Sequence, residues 1–268
     1  MSIYVATQKK ILFCLPKGYV PIFVGASIND NWKGLDYITD NTGDNISDKN
    51  KTFCELTALY WIWKNINEDI IGLAHYRRYL SENMLICNTQ NIISEDKATL
   101  LLKEYDLLLP KKSCLWGTVK KQYATGQHIE DYVLCGGILK SKFPEYYKDF
   151  IAISNDDSIY ICNMFICKKT LIDSYCEWLF PILFELEKQV DLTDYTVAEK
   201  RIFGYLAERL FNVWIHHNNV RIKELKLWNT ELKFSRRIFN WIHTFNYKVL
   251  RIDVMKYSAK RVERKRRR

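Results

Sequence analysis

Short apolar runs of strand length alternate with longer amphipathic segments through the first 112 residues, and few folds accept that pattern. The runs "IYVATQ" (3–8), "YVPIFVGA" (19–26), "DIIGLA" (69–74) and "DLLLPKK" (106–112) are too short for helices. They are also too continuously apolar for strands with one wet face. Between them, "FCELTALYWIWKN" (53–65) sets Leu56, Leu59, Tyr60 and Trp63 on one helical face. "SEDKATLLLKEY" (94–105) reads as a second helix with Ser94 as its N-cap. Strand, helix, strand at this spacing predicts an α/β fold with a mainly parallel central sheet. In such sheets ligands gather beyond the carboxyl ends of the strands.

The second half reads as more helical. "HIEDYVLCGGILKSKFPEYYKDFIAI" (128–153) predicts one or two helices broken near Gly136, Gly137 and Pro144. "SIYICNMFICKK" (158–169) predicts a central strand, followed by helices over 170–191 and 199–217 and a last strand over 220–228. Residues 1–233 form the expected domain.

Charge separates the remainder. The chain carries +9 overall, yet residues 235–268 alone hold twelve Lys/Arg against Asp253 and Glu263, so the body is close to neutral. A near-neutral body argues against a nucleic-acid-binding domain. In the tail, Phe234, Ile238, Trp241, Ile242, Phe245, Val249 and Ile252 recur at spacings of three and four among basic residues. That pattern predicts a basic amphipathic helix lying on an anionic membrane surface. The start of the chain shows no signal peptide, and no run approaches the ~20 apolar residues of a membrane span. The eight cysteines show no metal-ligand spacing and read as reduced, buried side chains. The expected location is cytoplasmic, peripheral on the inner face of the membrane.

One strand ends unusually. "IIGLAHYRRYL" runs from a buried strand into His75, Tyr76, Arg77, Arg78 and Tyr79. Cationic hydrogen-bonding groups at a strand's carboxyl end predict an anionic ligand.

Together with "IYVATQKK", "LPKGYVPIFVGA", "DNTGDNISDKNKTFCELTALYWIWKN", "YDLLLPKK" and "NMFICKKTLIDSYCEWLFPILFELEKQVD", this segment resembles the DUF4422 family of bacterial capsule and exopolysaccharide glycosyltransferases. The resemblance covers residues 2 to 217 and stops before the basic tail. It implies a GT-A-like nucleotide-sugar fold. It also implies sugar transfer during surface-polysaccharide assembly, with galactosyl and galactofuranosyl transfer among relatives; the expected reaction moves a hexose from a UDP-sugar to a lipid-linked oligosaccharide.

On that reading, His75, Tyr76, Arg77 and Arg78 are candidates for the donor diphosphate or sugar. A continuing strand would send Arg77 and Arg78 to opposite faces, one to ligand and one to a scaffold carboxylate. The sequence lacks the Asp-x-Asp that holds a divalent metal in many GT-A enzymes, so metal-independent transfer, with no cofactor, is expected. The loop "DNTGDNISDKN" offers Asn41, Thr42, Asp44 and Asn45 to donor phosphate or ribose, and Glu55 on the following helix is expected near the same rim or paired with an arginine. Asn163, polar within an apolar run, is either a structural pin or a sugar contact. His128 and Asp131 are candidates to orient the acceptor or supply the base; the other reading is a helix N-terminus with Glu130 and Asp131 favoured by the dipole. Glu208 is a further candidate base, or half of a surface pair with Arg209. His216 and His217 read as a solvated helix end. Two other functions fit the residues: a non-catalytic partner in polysaccharide assembly, and a nucleic-acid binder acting through the tail.

Overall fold

The computed structural model describes residues 1–82, 88–115 and 117–231. The tail helix expected over 234–268 lies outside the described residues. The body spans Met1–Trp228.

The chain opens with β1 (Ser2–Thr7), β2 (Tyr19–Phe23) and the two-residue β3 (Ile38–Thr39). Helices α1 (Asn50–Phe53) and α2 (Leu56–Asn65) lead to β4 (Ile70–His75) and β5 (Arg78–Ser81). Helix α3 (Glu95–Leu101), capped by the Ser94 hydroxyl, precedes β6 (Leu107–Pro110) and β7 (Ser113–Cys114). Three helices follow, α4 (Val119–Tyr123), α5 (Ile129–Lys142) and α6 (Tyr147–Asn155). Then come β8 (Ser158–Ile159), β9 (Phe165–Lys168), α7 (Lys169–Glu187), α8 (Ile202–His217) and β10 (Ile222–Asn229). Among the described residues no helix is long and apolar enough to cross a membrane, and the cysteines carry no disulfide.

The sheet is mixed, which corrects the expectation of a mainly parallel one. β1 runs parallel to β2 and β4, β2 to β3, and β6 to β10. β9 enters between β4 and β6 and runs against both, with Leu73 opposite Phe165 and Leu107 opposite Cys167. The reason is the connection. The chain leaves β6 at the carboxyl rim, forms α4, α5 and α6, and returns to the same rim before entering β9. A parallel strand would have required a crossover to the opposite end. The strand expected over 158–169 is also interrupted, because Cys162 and Asn163 adopt φ of 87° and 46°.

Both sheet faces are covered, and this explains the continuous apolar strands. Tyr4, Ala6, Ile71, Leu73, Leu107, Leu109, Phe165 and Cys167 pack on one side with α2, α5, α7 and α8. Ile3, Val5, Ala74, Leu108 and Ile166 pack on the other with Ala98 and Leu102, Tyr79 and Trp228. The period of two along each strand thus divides residues between two cores. Gly72 sits between side chains of the second face. A Cβ there would meet Ile3 and Ile166 side-chain atoms at 3.0 Å.

Candidate active site at the carboxyl rim

β4 ends at the rim, and the chain reverses there. His75 pairs antiparallel with Arg78, leaving Tyr76 and Arg77 as the turn. The strand end expected after residue 74 is therefore a hairpin turn. Both guanidiniums are near enough to bear electrostatically on the His75 ring and on Cys162. The Tyr76 amide donates to the carbonyl of Ala6, at 3.1 Å, which fastens the turn to β1. Lys9, just past β1, stands 4.4 Å from the Tyr76 ring centroid, and Arg77 stands 5.5 Å from it. Arg78 makes no ion pair or side-chain hydrogen bond with any described residue.

Two carboxylates face these cations. Glu55 immediately precedes α2, whose antiparallel course brings its first turn to the rim. Its Oε1 accepts a 2.6 Å hydrogen bond from Asn163 Nδ2, which also donates to the Gly204 carbonyl at 3.2 Å. Glu208 projects from α8. Its Oε1 accepts the Cys162 amide at 2.7 Å, and its Oε2 accepts from Arg209 Nη1 at 2.8 Å. Burial pushes the Glu208 carboxyl above its ordinary pKa, and the Arg209 charge opposes that rise.

The Cys162–Asn163 kink organises the cluster. Left-handed backbone at two successive non-glycine residues is strained and is tolerated where the surroundings hold it. Here the Cys162 carbonyl meets His75 Nε2 at 2.7 Å, the Cys162 amide reaches Glu208, and Asn163 holds Glu55. Burial lowers the His75 pKa and pushes the Cys162 thiol up to about 12. Beside Glu55, Cys54 is also left-handed, at φ 55°, and its sulfur accepts from Arg201 Nε at 3.3 Å.

Other expected site residues lie elsewhere. The Trp61 indole donates to the Thr42 carbonyl at 3.0 Å, Asn65 bonds the Asp44 backbone, and the Tyr60 hydroxyl donates to Asp44. Asn45 bonds within its own turn, to Gly43 and Ser47. The loop therefore hugs the last turns of α2, and at ~1.5 Å rise per residue Trp61 sits ~9 Å beyond Glu55. The structure does not bring Asn41, Thr42, Asp44 and Asn45 to the arginines. Asp40 stays near the rim as a scaffold, fully buried and accepting the Gly25 and Ala26 amides.

His128 and Asp131 form a second group at the start of α5. The His128 ring stacks on Tyr195, with centroids 4.1 Å apart, and lies 3.5 Å from Glu199 Oε1. The Tyr195 hydroxyl donates to Asp131, 2.9 and 3.0 Å from its two oxygens, and burial raises the Asp131 pKa. His216 and His217 are not merely solvated, since both Nδ1 atoms lie 2.7 Å from the Asp149 carboxylate.

Sequence reasoning gave Glu55 only a passing role and Arg209 none beyond a surface pair. Asn163 was the available signal for Glu55, since a buried amide requires a polar partner. Among the described residues no cluster of three or more His, Cys, Asp or Glu is arranged to hold a metal ion.

The profile of a family described as "Domain of unknown function (DUF4422)" matches residues 2–219. The chain belongs to the DUF4422 family. A solved structure similar to it is the apo form of the WbbM bifunctional glycosyltransferase, 32% identical with a TM-score of 0.77. The alignment covers 86% of this chain and 45% of WbbM, so the chain spans less than half the length of that neighbour. A search of curated proteins returns no match. The match of this DUF4422 chain runs through the strands and helices that carry His75, Arg77, Arg78, Asn163 and Glu208.

Proposed function

We propose that this domain is a GT-A-like glycosyltransferase moving a hexose from a UDP-sugar to a lipid-linked oligosaccharide in surface-polysaccharide synthesis. Arg77 and Arg78 neutralise the departing diphosphate without a metal, since planar guanidiniums match phosphate oxygens two by two. His75 fixes the turn that aims them. Glu55 takes the proton of the attacking hydroxyl: one of its oxygens is held by Asn163, and the other has no hydrogen bond among the described residues. Glu208 braces the Cys162 kink, because both of its oxygens are already engaged.

The observation that carries this reading is the Arg78 guanidinium. It stands at the rim without an ion pair among the described residues, next to two carboxylates, in a chain one-third identical to a glycosyltransferase. Titration calorimetry with UDP, UMP and uridine tests it. Heat that requires the diphosphate, together with UDP release from one member of a UDP-hexose panel, supports the reading. Equal affinity for UDP and uridine refutes the diphosphate role, and inertness toward the whole panel favours a non-catalytic partner in polysaccharide assembly.

The basic segment 235–268 is assigned to the anionic inner leaflet, where each basic residue contributes ~1 kcal/mol. Removing it is expected to abolish sedimentation with phosphatidylglycerol vesicles while sparing UDP binding. Retained sedimentation removes the membrane role.

A further inference from the structure

Near α8, three buried polar atoms have no hydrogen-bond partner among the described residues: the Tyr123 hydroxyl, Gln127 Oε1 and Arg209 Nε. Tyr123 is 1% exposed and Arg209 3%. Native proteins leave few such atoms unpaired, and each costs about 1–3 kcal/mol. These three are neighbours. Arg209 Cζ lies 5.5 Å from the Tyr123 ring centroid, and the Gln127 backbone N–H donates to the Tyr123 backbone carbonyl at 3.0 Å.

Their chemistry is mixed. Arg209 Nε–H only donates, Gln127 Oε1 only accepts, and the phenol does both. Adjacent hydroxyls on a sugar ring present that same combination. The charges agree. Glu208 neutralises Arg209, and the other carboxylate at this wall, Asp131, is held by the Tyr195 phenol. An anionic ligand would meet Glu208 and Asp131, and a cation would meet Arg209. A neutral polyol meets neither penalty.

Glu208 also joins this wall to the donor cluster. One oxygen holds the Cys162 amide beside His75, and the other holds Arg209. A transferase requires its second substrate at such a junction, within reach of the reacting centre and apart from the diphosphate cations.

We propose that Tyr123, Gln127 and Arg209 form the acceptor subsite, which takes a neutral, hydroxyl-rich sugar ring. The inference rests on the transferase reading. The segment before α8 covers the subsite: Tyr195 docks on Asp131, and Gln127 Nε2 donates to the Ala198 carbonyl at 3.4 Å. Entry of the acceptor displaces this segment.

Binding tests the proposal without requiring turnover. The probes are methyl β-galactoside, methyl β-glucoside, methyl α-mannoside and methyl β-N-acetylglucosaminide, read by saturation-transfer NMR on the full chain. At least one should give signal with the wild type. That signal should fall ~5-fold or more in Tyr123→Phe and Gln127→Ala, the equivalent of one lost hydrogen bond. It should persist in Arg78→Ala, which instead loses UDP binding by calorimetry. Silence of all four glycosides on the wild type, or wild-type signal in both subsite variants, overturns the subsite. If Tyr123→Phe fails to fold, Gln127→Ala decides. Failure of the wild type to bind UDP defeats the transferase reading separately, and the glycoside signals are read independently of it.

Discussion

His75 Nε2 lies 2.7 Å from the Cys162 carbonyl oxygen, so the imidazole ends β4 by clasping the kink that opens β9. A carbonyl only accepts, so Nε2 carries the proton. Burial holds the ring below its ordinary pKa of 6.5, Arg78 and Arg77 act in the same direction, and Glu55 opposes them. The unfolded chain therefore binds the proton more readily than the folded one. Stability from this group is complete above the unfolded pKa and is lost as pH falls through 6.5 toward the folded value. His75→Gln keeps a donor without titrating. Its urea midpoint should decline less than that of the wild type as pH drops from ~7 to ~5. Parallel decline in both proteins would assign the acid sensitivity to other groups.

Arg78→Ala should weaken UDP binding by about ten- to a hundredfold, the loss of one charge-assisted contact at about 1.5–3 kcal/mol. Its melting temperature should stay at the wild-type value, since the guanidinium has no ion pair among the described residues. Calorimetry alongside thermal melts reads both. Unchanged UDP affinity would remove Arg78 from the donor site.

The two rim carboxylates should separate by variant. Glu55→Gln retains an acceptor oxygen for Asn163, so the fold should hold while kcat drops by about 10²–10⁴, as for loss of a general base. Glu208→Gln leaves the buried Arg209 without its counter-charge and should lose about 3–5 kcal/mol of stability. Denaturant titrations and turnover on the active UDP-hexose check the pair. A stable Glu208→Gln with abolished turnover would move the base from Glu55 to Glu208.

Asp40 sets the position of the loop that leads into α1 and α2. It accepts the Gly25 and Ala26 amides and the Ser47 hydroxyl, and it is fully buried. Asp40→Ala strands those donors, each at about 1–3 kcal/mol, and should lower unfolding stability by roughly 3 kcal/mol. A loss under ~1 kcal/mol would mean that water replaces the carboxylate there.

Much of the fold was legible because β1, β4 and β6 are apolar on both faces, and that composition admits few arrangements. The direction of β9 was not legible. Strand polarity depends on which rim the preceding helices return to, and residues 128–153 read as helical either way. The placement of the loop at 41–45 was not legible for a related reason. Gly, Asn and Asp satisfy any tight turn, and the turn here wraps Trp61 and Asn65. The HYRR segment announced cations at the rim but concealed the hairpin, since no glycine marks the reversal. Cys162 gave no hint of left-handed backbone, and only the polarity of Asn163 within its apolar run pointed toward the buried carboxylates.

The antiparallel entry of β9 makes everything from Lys111 to Met164 an excursion that departs from and rejoins one edge of the molecule. The buried faces of α5 and α6 tie this excursion to the sheet, and its exposed loops are the parts that can change length without shifting a strand's register. On the proposed reading, the wall at Tyr123 and Gln127 lies on the excursion while the turn at Arg77 and Arg78 lies between neighbouring strands, so one scaffold could diversify what it modifies while keeping what it consumes.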